Sequence, residues 1–406
     1  MRKSSGSDTS PRVPGPGSRV PSPVPSLLTA ALQHLRALVA FDTRNPPRAI
    51  GTDGIFDYLR AQLPGFECAL TDHGAGAVSL LAVRGKPRLL FNVHLDTVPD
   101  SPHWSASPFA LRVTDDRAIG LGACDIKGAA AALLAAAAHS DGACAFLFTT
   151  DEEANDARCV PAFLRAFPSP RVPASRVPGP GSRIPCFQAV VVAEPTRGEA
   201  VLAHRGISAV LLRFAGRAGH ASGAQGVADS ALHQALRWGA RALDYVDTQA
   251  HQRFAGLTGL RFNIGRVEGG IKANVIAPAA EVRFGLRPLP SMDTDAVLAD
   301  LRGLAPSAPA QFEETFRGPP LPAGDIAGAE ARRLAARDLA DELGLTIGNA
   351  VDFWTEAALF SQAGYTTFVF GPGDIAQAHG ADEWVALDQL AVYAAHMHRI
   401  IDMGLA

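Results

Sequence analysis

Seven side chains in this 406-residue chain have types and settings that could do chemistry together: His94, Asp96, Asp125, Glu152, Glu153, Glu194 and His379. Each stands where an apolar run ends or where a helix begins. "LLFNVHLDTVP" delivers His94 and Asp96, "FLFTTDEEAND" ends in Asp151, Glu152 and Glu153, and "VVVAEPT" ends in Glu194. "GPGDIAQAHGADE" places His379 in a Gly-rich loop after "TTFVF", and Asp125 in "GLGACDIKGAAAALLAAA" precedes a helix opening near Lys127. A histidine can ligate a metal through one ring nitrogen while a nearby carboxylate holds the other. A carboxylate ahead of a helix can bridge two ions with its two oxygens. Two imidazoles and three carboxylates suit a pair of Zn²⁺-like ions roughly 3.5 to 4 Å apart, each with an open position. One acid is then left over. Adjacent glutamates at a strand exit point in different directions, so one can ligate while the other faces a water as general base.

Each piece also has a plainer explanation. Asp151 to Glu153 read as a solvated turn followed by acids favoured by a helix N-terminus. His94 alone reads as a satisfied core histidine, and Asp125 as an N-cap. Against this stands their common address: all six of His94, Asp125, Glu152, Glu153, Glu194 and His379 fall at the outlet of apolar strands, where open α/β sheets place ligands. Independent caps and turn acids have no reason to choose one edge.

The elements that must position them follow from periodicity. "LLTAALQHLRALVAF" and "DGIFDYLRAQL" have helical spacing, while "AVSLLAV", "RLLFNV", "ACAFLFTT" and "QAVVVAE" are near-continuous apolar strands. Continuous runs imply strands covered on both faces, hence an α/β fold with a mostly parallel sheet. Between about 198 and 314 the pattern changes to strands and two helices, "ADSALHQALRWGARALDYV" and "DTDAVLADLRGLA", expected to form an inserted α+β lid. The catalytic domain is therefore expected in two parts, 26–197 and 315–406, after a Pro/Gly/Ser-rich leader at 1–25. "RVPGPGSRVP" at 12–21 recurs as "RVPGPGSRIP" at 176–185, and both copies read as flexible decoration, the second lengthening a surface loop at 170–185.

Composition narrows the partner. Hydrophobic residues make up 47% of the chain and the formal net charge is −3, so a large core is possible and no basic field is available for nucleic acid or anionic lipid. The five cysteines, Cys68, Cys124, Cys144, Cys159 and Cys186, are scattered with no CxxC pair, which argues against a disulfide framework or a thiolate metal site. A reducing cytoplasm, no membrane span and a small-molecule ligand are expected.

Taken in order, "HLDTVP", "GACDIKG", "DEEAND", "AEPT" and "AHGADE" resemble the M20 family of metallopeptidases and N-acyl amino acid deacylases, over nearly the whole chain from Ser26. The resemblance implies two divalent ions, Zn²⁺ or Co²⁺, with His94 and Glu194 on one, Glu153 and His379 on the other, and Asp125 bridging. It makes Glu152 the base and Asp96 the partner of His94. "AGRAGHAS" places His220 where the family has a histidine that reaches a neighbouring subunit's site and steadies the oxyanion, implying a homodimer through the lid. Asn274 and Arg287 then stand to meet a substrate carboxylate, although Gly285 occupies a place where relatives often carry Asp.

Within the family, "AFDTRNPPRAIGTDGIFDYLRAQLPGF" and "NAVDFWTEAALFSQAGY" resemble the branch that deacetylates N-acetylated ornithine and citrulline in arginine biosynthesis. A dipeptidase or a succinyl-diaminopimelate desuccinylase would need a further charged anchor that the motifs do not supply, and a metal-free binding protein would have no physical reason to keep the ligand set. Citrulline against ornithine stays open, because the pocket walls cannot be placed from the chain alone.

Overall fold

The structure, a computed structural model, describes residues 25–47, 49–154, 156–169, 187–222 and 230–406. Both Pro/Gly-rich copies, and residues 1–24 of the expected leader, lie outside these residues.

A six-stranded sheet has the order β1-β2-β6-β3-β7-β14. Its strands are β1 Glu67–Asp72, β2 Val78–Arg84, β3 Leu89–His94, β6 Cys144–Thr149, β7 Ala189–Val192 and β14 Thr366–Val369. The β6-β3-β7-β14 portion is parallel, while β2 runs antiparallel to both of its neighbours. Every residue of β3, β6 and β7 is buried, and the pleat explains how. In β6, Phe146 and Phe148 enter one hydrophobic cluster and Ala145 and Leu147 the opposite one. The first cluster is closed by helices α1 Pro25–Val39, α2 Ile55–Gln62, α3 Lys127–Ala138, α7 Ala329–Glu342 and α9 Leu387–Asp402, and the second by α4 Cys159–Ala166 and α8 Ala357–Gln362. The alanine-rich α3 is buried from Lys127 to Ala137, because methyl-sized side chains let it pack closely against α1 and α9.

Phe146 lies at the centre of this packing, with ring centroids 5.6 Å from Phe66, 6.2 Å from Phe91 and 6.0 Å from Phe148. Phe146→Ala will lower the unfolding free energy by about 3–5 kcal/mol, read from urea denaturation, by lost transfer energy plus a cavity.

A second sheet, β11-β12-β8-β13, is antiparallel throughout. It comprises β8 Ile207–Ala215, β11 Arg261–Gly269, β12 Ala279–Arg287 and β13 Gln311–Gly318. Buried and less buried residues alternate along β8 and β12, and the buried face packs on α5 Ala231–Thr248 and α6 Thr294–Gly303 around Trp238, Phe284 and Leu301. Both helices are capped as their sequences ask: Ser230 accepts the His233 N–H, and Asp293 accepts those of Asp295 and Ala296. Ala200 and Leu202 belong to the first core, and β13 continues to Gly318. In "QFEETFRG" most side chains that leave the core are charged or polar, so the run reads as loop until a partner strand is known. A short hairpin, β9 Arg253–Phe254 with β10 Leu257–Thr258, adjoins this layer, and β4 Arg112–Val113, β5 Arg117–Ile119 and β15 Trp384–Ala386 form a three-stranded sheet. No helix among the described residues is long and apolar enough to cross a membrane.

Candidate metal centre

His94 is the last residue of β3, so its ring emerges at the carboxyl end of the parallel strands. Its Nε2 lies 3.0 Å from Asp125 Oδ1 and 3.8 Å from Glu194 Oε1. The other ring nitrogen, Nδ1, lies 3.0 Å from the Asp96 carbonyl oxygen and 3.4 Å from its carboxylate Oδ1. Asp96 is wholly buried and held in turn, since its Oδ2 accepts N–H groups from the Asn45 amide at 3.1 Å and the Glu153 main chain at 3.0 Å. This arrangement fixes the tautomer and aim of His94.

Asp125 is not an N-cap. Helix α3 starts at Lys127 with Ile126 in the capping position and no side-chain cap, which leaves both Asp125 oxygens for other partners. Oδ1 meets His94, and Oδ2 lies 3.1 Å from His379 Nε2. The same His379 nitrogen is 3.0 Å from Glu153 Oε1.

The three acids after β6 divide their work. Asp151 is structural: its Oδ2 accepts the N–H groups of Arg158 and Cys159 at the start of α4. Glu153 turns towards His379, and Glu152 lines the cavity beside it. Glu194 follows β7 and is buried against the Gly371 backbone; a Cβ at Gly371 would come 2.3 Å from the Glu194 carbonyl oxygen, so only glycine allows the two loops to meet. His379 has a φ of 60°, unusual for a residue with a Cβ, and its loop holds that conformation where the two carboxylates converge.

Two donor groups result, His94 with Asp125 and Glu194, and Asp125 with Glu153 and His379. Cations fit them on physical grounds. Four carboxylates crowd a largely buried space, and among the described residues Asp125, Glu153 and Glu194 pair only with histidines, with no lysine or arginine to offset them. Burial pushes the Glu152 carboxyl up to about 8, the charges of Glu153, Asp125 and Asp96 adding to it against His94. Burial likewise raises Glu194 well above the usual carboxylate range, with Asp125 next in effect. The Asp125 and Glu153 carboxylates raise His379 to about 11, and for His94 hydrogen bonds to Asp125 and Asp96 outweigh the burial that alone would lower it. The centre is a strongly negative pocket whose donor types, imidazole and carboxylate, suit Zn²⁺-like ions.

The adjoining cavity measures about 210 Å³. Beyond the acids and His379, its wall is Arg287 and the apolar Ile207, Phe316, Phe353, Trp354 and Ile375. Trp354 is fixed by donating its Nε1–H to the Pro319 carbonyl at 3.0 Å and by meeting Phe316 edge-on at 6.0 Å. Burial lowers the pKa of Arg287, with Asp352 acting against the shift. His220 and Asn274 are not in this wall. They are exposed neighbours on the second layer, joined through the Ala221 N–H to the Asn274 carbonyl, and His220 Nδ1 lies 2.8 Å from Ser222 Oγ. Within one chain Asn274 and Arg287 therefore do not converge, because the loop that carries Asn274 leaves the far end of β12.

The sequence profile of the M20/M25/M40 peptidase family matches residues 90–403. The chain belongs to the M20 family. This M20 chain is 68% identical over 378 residues to the N-acetyl-L-citrulline deacetylase of Xanthomonas campestris pv. campestris, covering 93% of the chain and 98% of that protein. It is 31% identical over 333 residues to the acetylornithine deacetylase of Salmonella heidelberg, covering 78% and 77%. Among solved structures, the aminopeptidase PepT of Bacillus cereus superposes with a TM-score of 0.68 at 18% identity, covering 93% of this chain and 99% of that one. A metallo-carboxypeptidase of Sulfolobus solfataricus superposes with a TM-score of 0.66 at 15% identity, covering 92% and 99%. At such identities the likeness concerns the fold.

Sequence reasoning gave no role to Asn45, Trp354, Phe316 or Glu383 of this M20 chain. Asn45 had a signal in "DTRNPP", a polar residue ahead of two prolines, but its partner Asp96 is distant in the sequence. Removing the acid at the end of that chain of contacts, Asp96→Ala, will weaken metal binding or turnover by about 10- to 100-fold, as measured by metal titration and initial rates.

Proposed function

We propose that the protein hydrolyses the acetamide of an N-acetyl-L-amino acid, N-acetyl-L-citrulline first and N-acetyl-L-ornithine second, releasing acetate and the free amino acid for arginine biosynthesis. The observation that carries this is the pair of donor groups sharing Asp125 beside a cavity with one guanidinium, in a chain 68% identical to a protein named for that reaction. Two divalent cations, Zn²⁺ with Co²⁺ as the alternative, would supply Lewis acidity to the amide carbonyl and a water of lowered pKa. His94, Asp125 and Glu194 would hold one, and Asp125, Glu153 and His379 the other. Glu152 takes a proton from the attacking water and passes it to the amide nitrogen as the C–N bond breaks. Arg287 offers the substrate carboxylate a forked pair of N–H donors. The aromatic wall excludes water from the acyl group.

Among the described residues of the cavity wall the only carboxylates are the three metal acids and the base Glu152, all engaged in the chemistry, which supports a neutral ureido end over an ammonium, since a buried ammonium needs an acidic partner. Turnover of acetylcitrulline, acetylornithine and a dipeptide on one preparation tests the assignment. A kcat/KM favouring the dipeptide would defeat it.

The 198–314 segment acts in this proposal as a lid and dimerisation unit. β11 is an edge strand with Val267 44% exposed, and on α5 Leu236 and Leu243, seven residues apart on one face, are 57% and 53% exposed. Dimerisation there would bring His220 and Asn274 to a partner's cavity. Mixing inactive Glu152→Gln and His220→Ala subunits will then restore activity to a fraction of wild type, because hybrid dimers rebuild one intact site; no recovery after subunit exchange would show that His220 works within its own chain or not at all.

A further inference from the structure

Glu383 lies four residues beyond His379, 2% exposed and outside the two donor groups. Its Oε1 accepts the main-chain N–H groups of Cys124 and Asp125, each at 2.9 Å, and its Oε2 that of Gly122 at 3.0 Å. Its own carbonyl accepts the Gly120 N–H at 3.0 Å. One residue thus pins the segment Gly120–Asp125 at four N–H groups. β15 begins at the next residue and pairs with β5, so the anchor rests on regular structure and not on a free loop. Asp125 itself lies outside α3, which starts two residues later with no side-chain cap at Ile126, and the turn before it is closed by the Lys127 N–H on the Gly122 carbonyl.

We propose that Glu383 is a positioning residue of the centre: by fixing the Asp125 main chain it sets the aim of the two Asp125 oxygens, one at His94 and one at His379, and it couples the loops carrying Asp125 and His379 into one unit. This rests on the reading that Asp125 bridges two cations. A carboxylate suits the task because it offers two oxygens and no hydrogens to N–H donors converging from one side. Glutamine keeps the shape but turns one of those oxygens into a donor facing donors.

The test uses Glu383→Gln beside Val385→Ala, which trims a buried side chain two residues on and removes none of the groups in the four Glu383 hydrogen bonds. Both are compared with wild type by Zn²⁺ titration of the metal-free protein, by thermal unfolding of that metal-free protein, and by kcat and KM of the reloaded enzyme. Glu383→Gln is expected to weaken Zn²⁺ binding by about 10- to 100-fold and to lower kcat with KM nearly unchanged. Val385→Ala should bind Zn²⁺ as wild type does even where it unfolds at an equal or lower temperature. Unchanged Zn²⁺ affinity in Glu383→Gln overturns the proposal. So does an equal loss of affinity in Val385→Ala, which would make Glu383 a contributor to folding alone. Should Glu383→Gln not be recovered folded, Glu383→Asp, whose oxygens are withdrawn by one methylene, carries the same expectation and the same means of defeat. If wild type itself binds no Zn²⁺, the bridging reading of Asp125 fails first, and that result is visible before any variant is made.

Discussion

Glu152→Gln will lower kcat by about 10²- to 10⁴-fold while leaving metal content at the wild-type level, because it removes an acid/base group and no ligand. In barrier terms this is about 3–5 kcal/mol. The separation of the two glutamates underlies the expectation. Both line the cavity, but Glu153 reaches His379 and is positioned through its N–H on Asp96, whereas Glu152 stands outside both donor groups. Glutamine matches glutamate in volume but cannot accept and release a proton near neutral pH, so packing is kept and the proton path is cut. Metal analysis together with rates decides the matter: loss of metal along with turnover would mean that the roles of Glu152 and Glu153 have been exchanged, and normal turnover would mean that Glu152 is not the base.

Asp125→Ala will have an effect of a different kind. It removes the one side chain shared by both donor groups, leaving His94 with Glu194 and His379 with Glu153. Two ligands seldom hold an ion against water, so stoichiometry will fall below one ion per chain. Turnover will drop by at least the ~10⁴-fold upper range for a single acid/base group, since polarisation and proton transfer fail together. A second readout needs no substrate. Ions present at 100 times their dissociation constant stabilise the folded wild type by about 2.7 kcal/mol per site, and Asp125→Ala should gain almost nothing from the same addition. A variant that kept two ions would show that Asp125 only orients the histidines.

The chain alone was informative where physics is local. The runs ending in His94, in Asp151 to Glu153 and in Glu194 are near-continuously apolar, and such runs become strands buried on both faces; residues at their ends then emerge at one edge. The helices α1, α3, α5 and α6 were equally legible, from apolar spacing and, in α3, from a run of alanine and leucine. β1 and β13 were missed for the converse reason. Their side chains are largely solvent-facing, and only the pairing of β1 with β2 and of β13 with β8 makes them strands.

Tertiary structure decided everything that depends on distance through space. Whether Asp125 caps a helix or joins two histidines is a matter of where Ile126, His94 and His379 fall, and nothing within a few residues of Asp125 encodes that. The service of Asn45 to Asp96 and of Glu383 to the Asp125 main chain, the antiparallel setting of β2, and the separation of Asn274 from Arg287 share this character. Residue type and local periodicity determine which side chains reach the edge of a sheet; which of them touch depends on long-range pairing, whose free energy is spread over the whole core and written in no single motif.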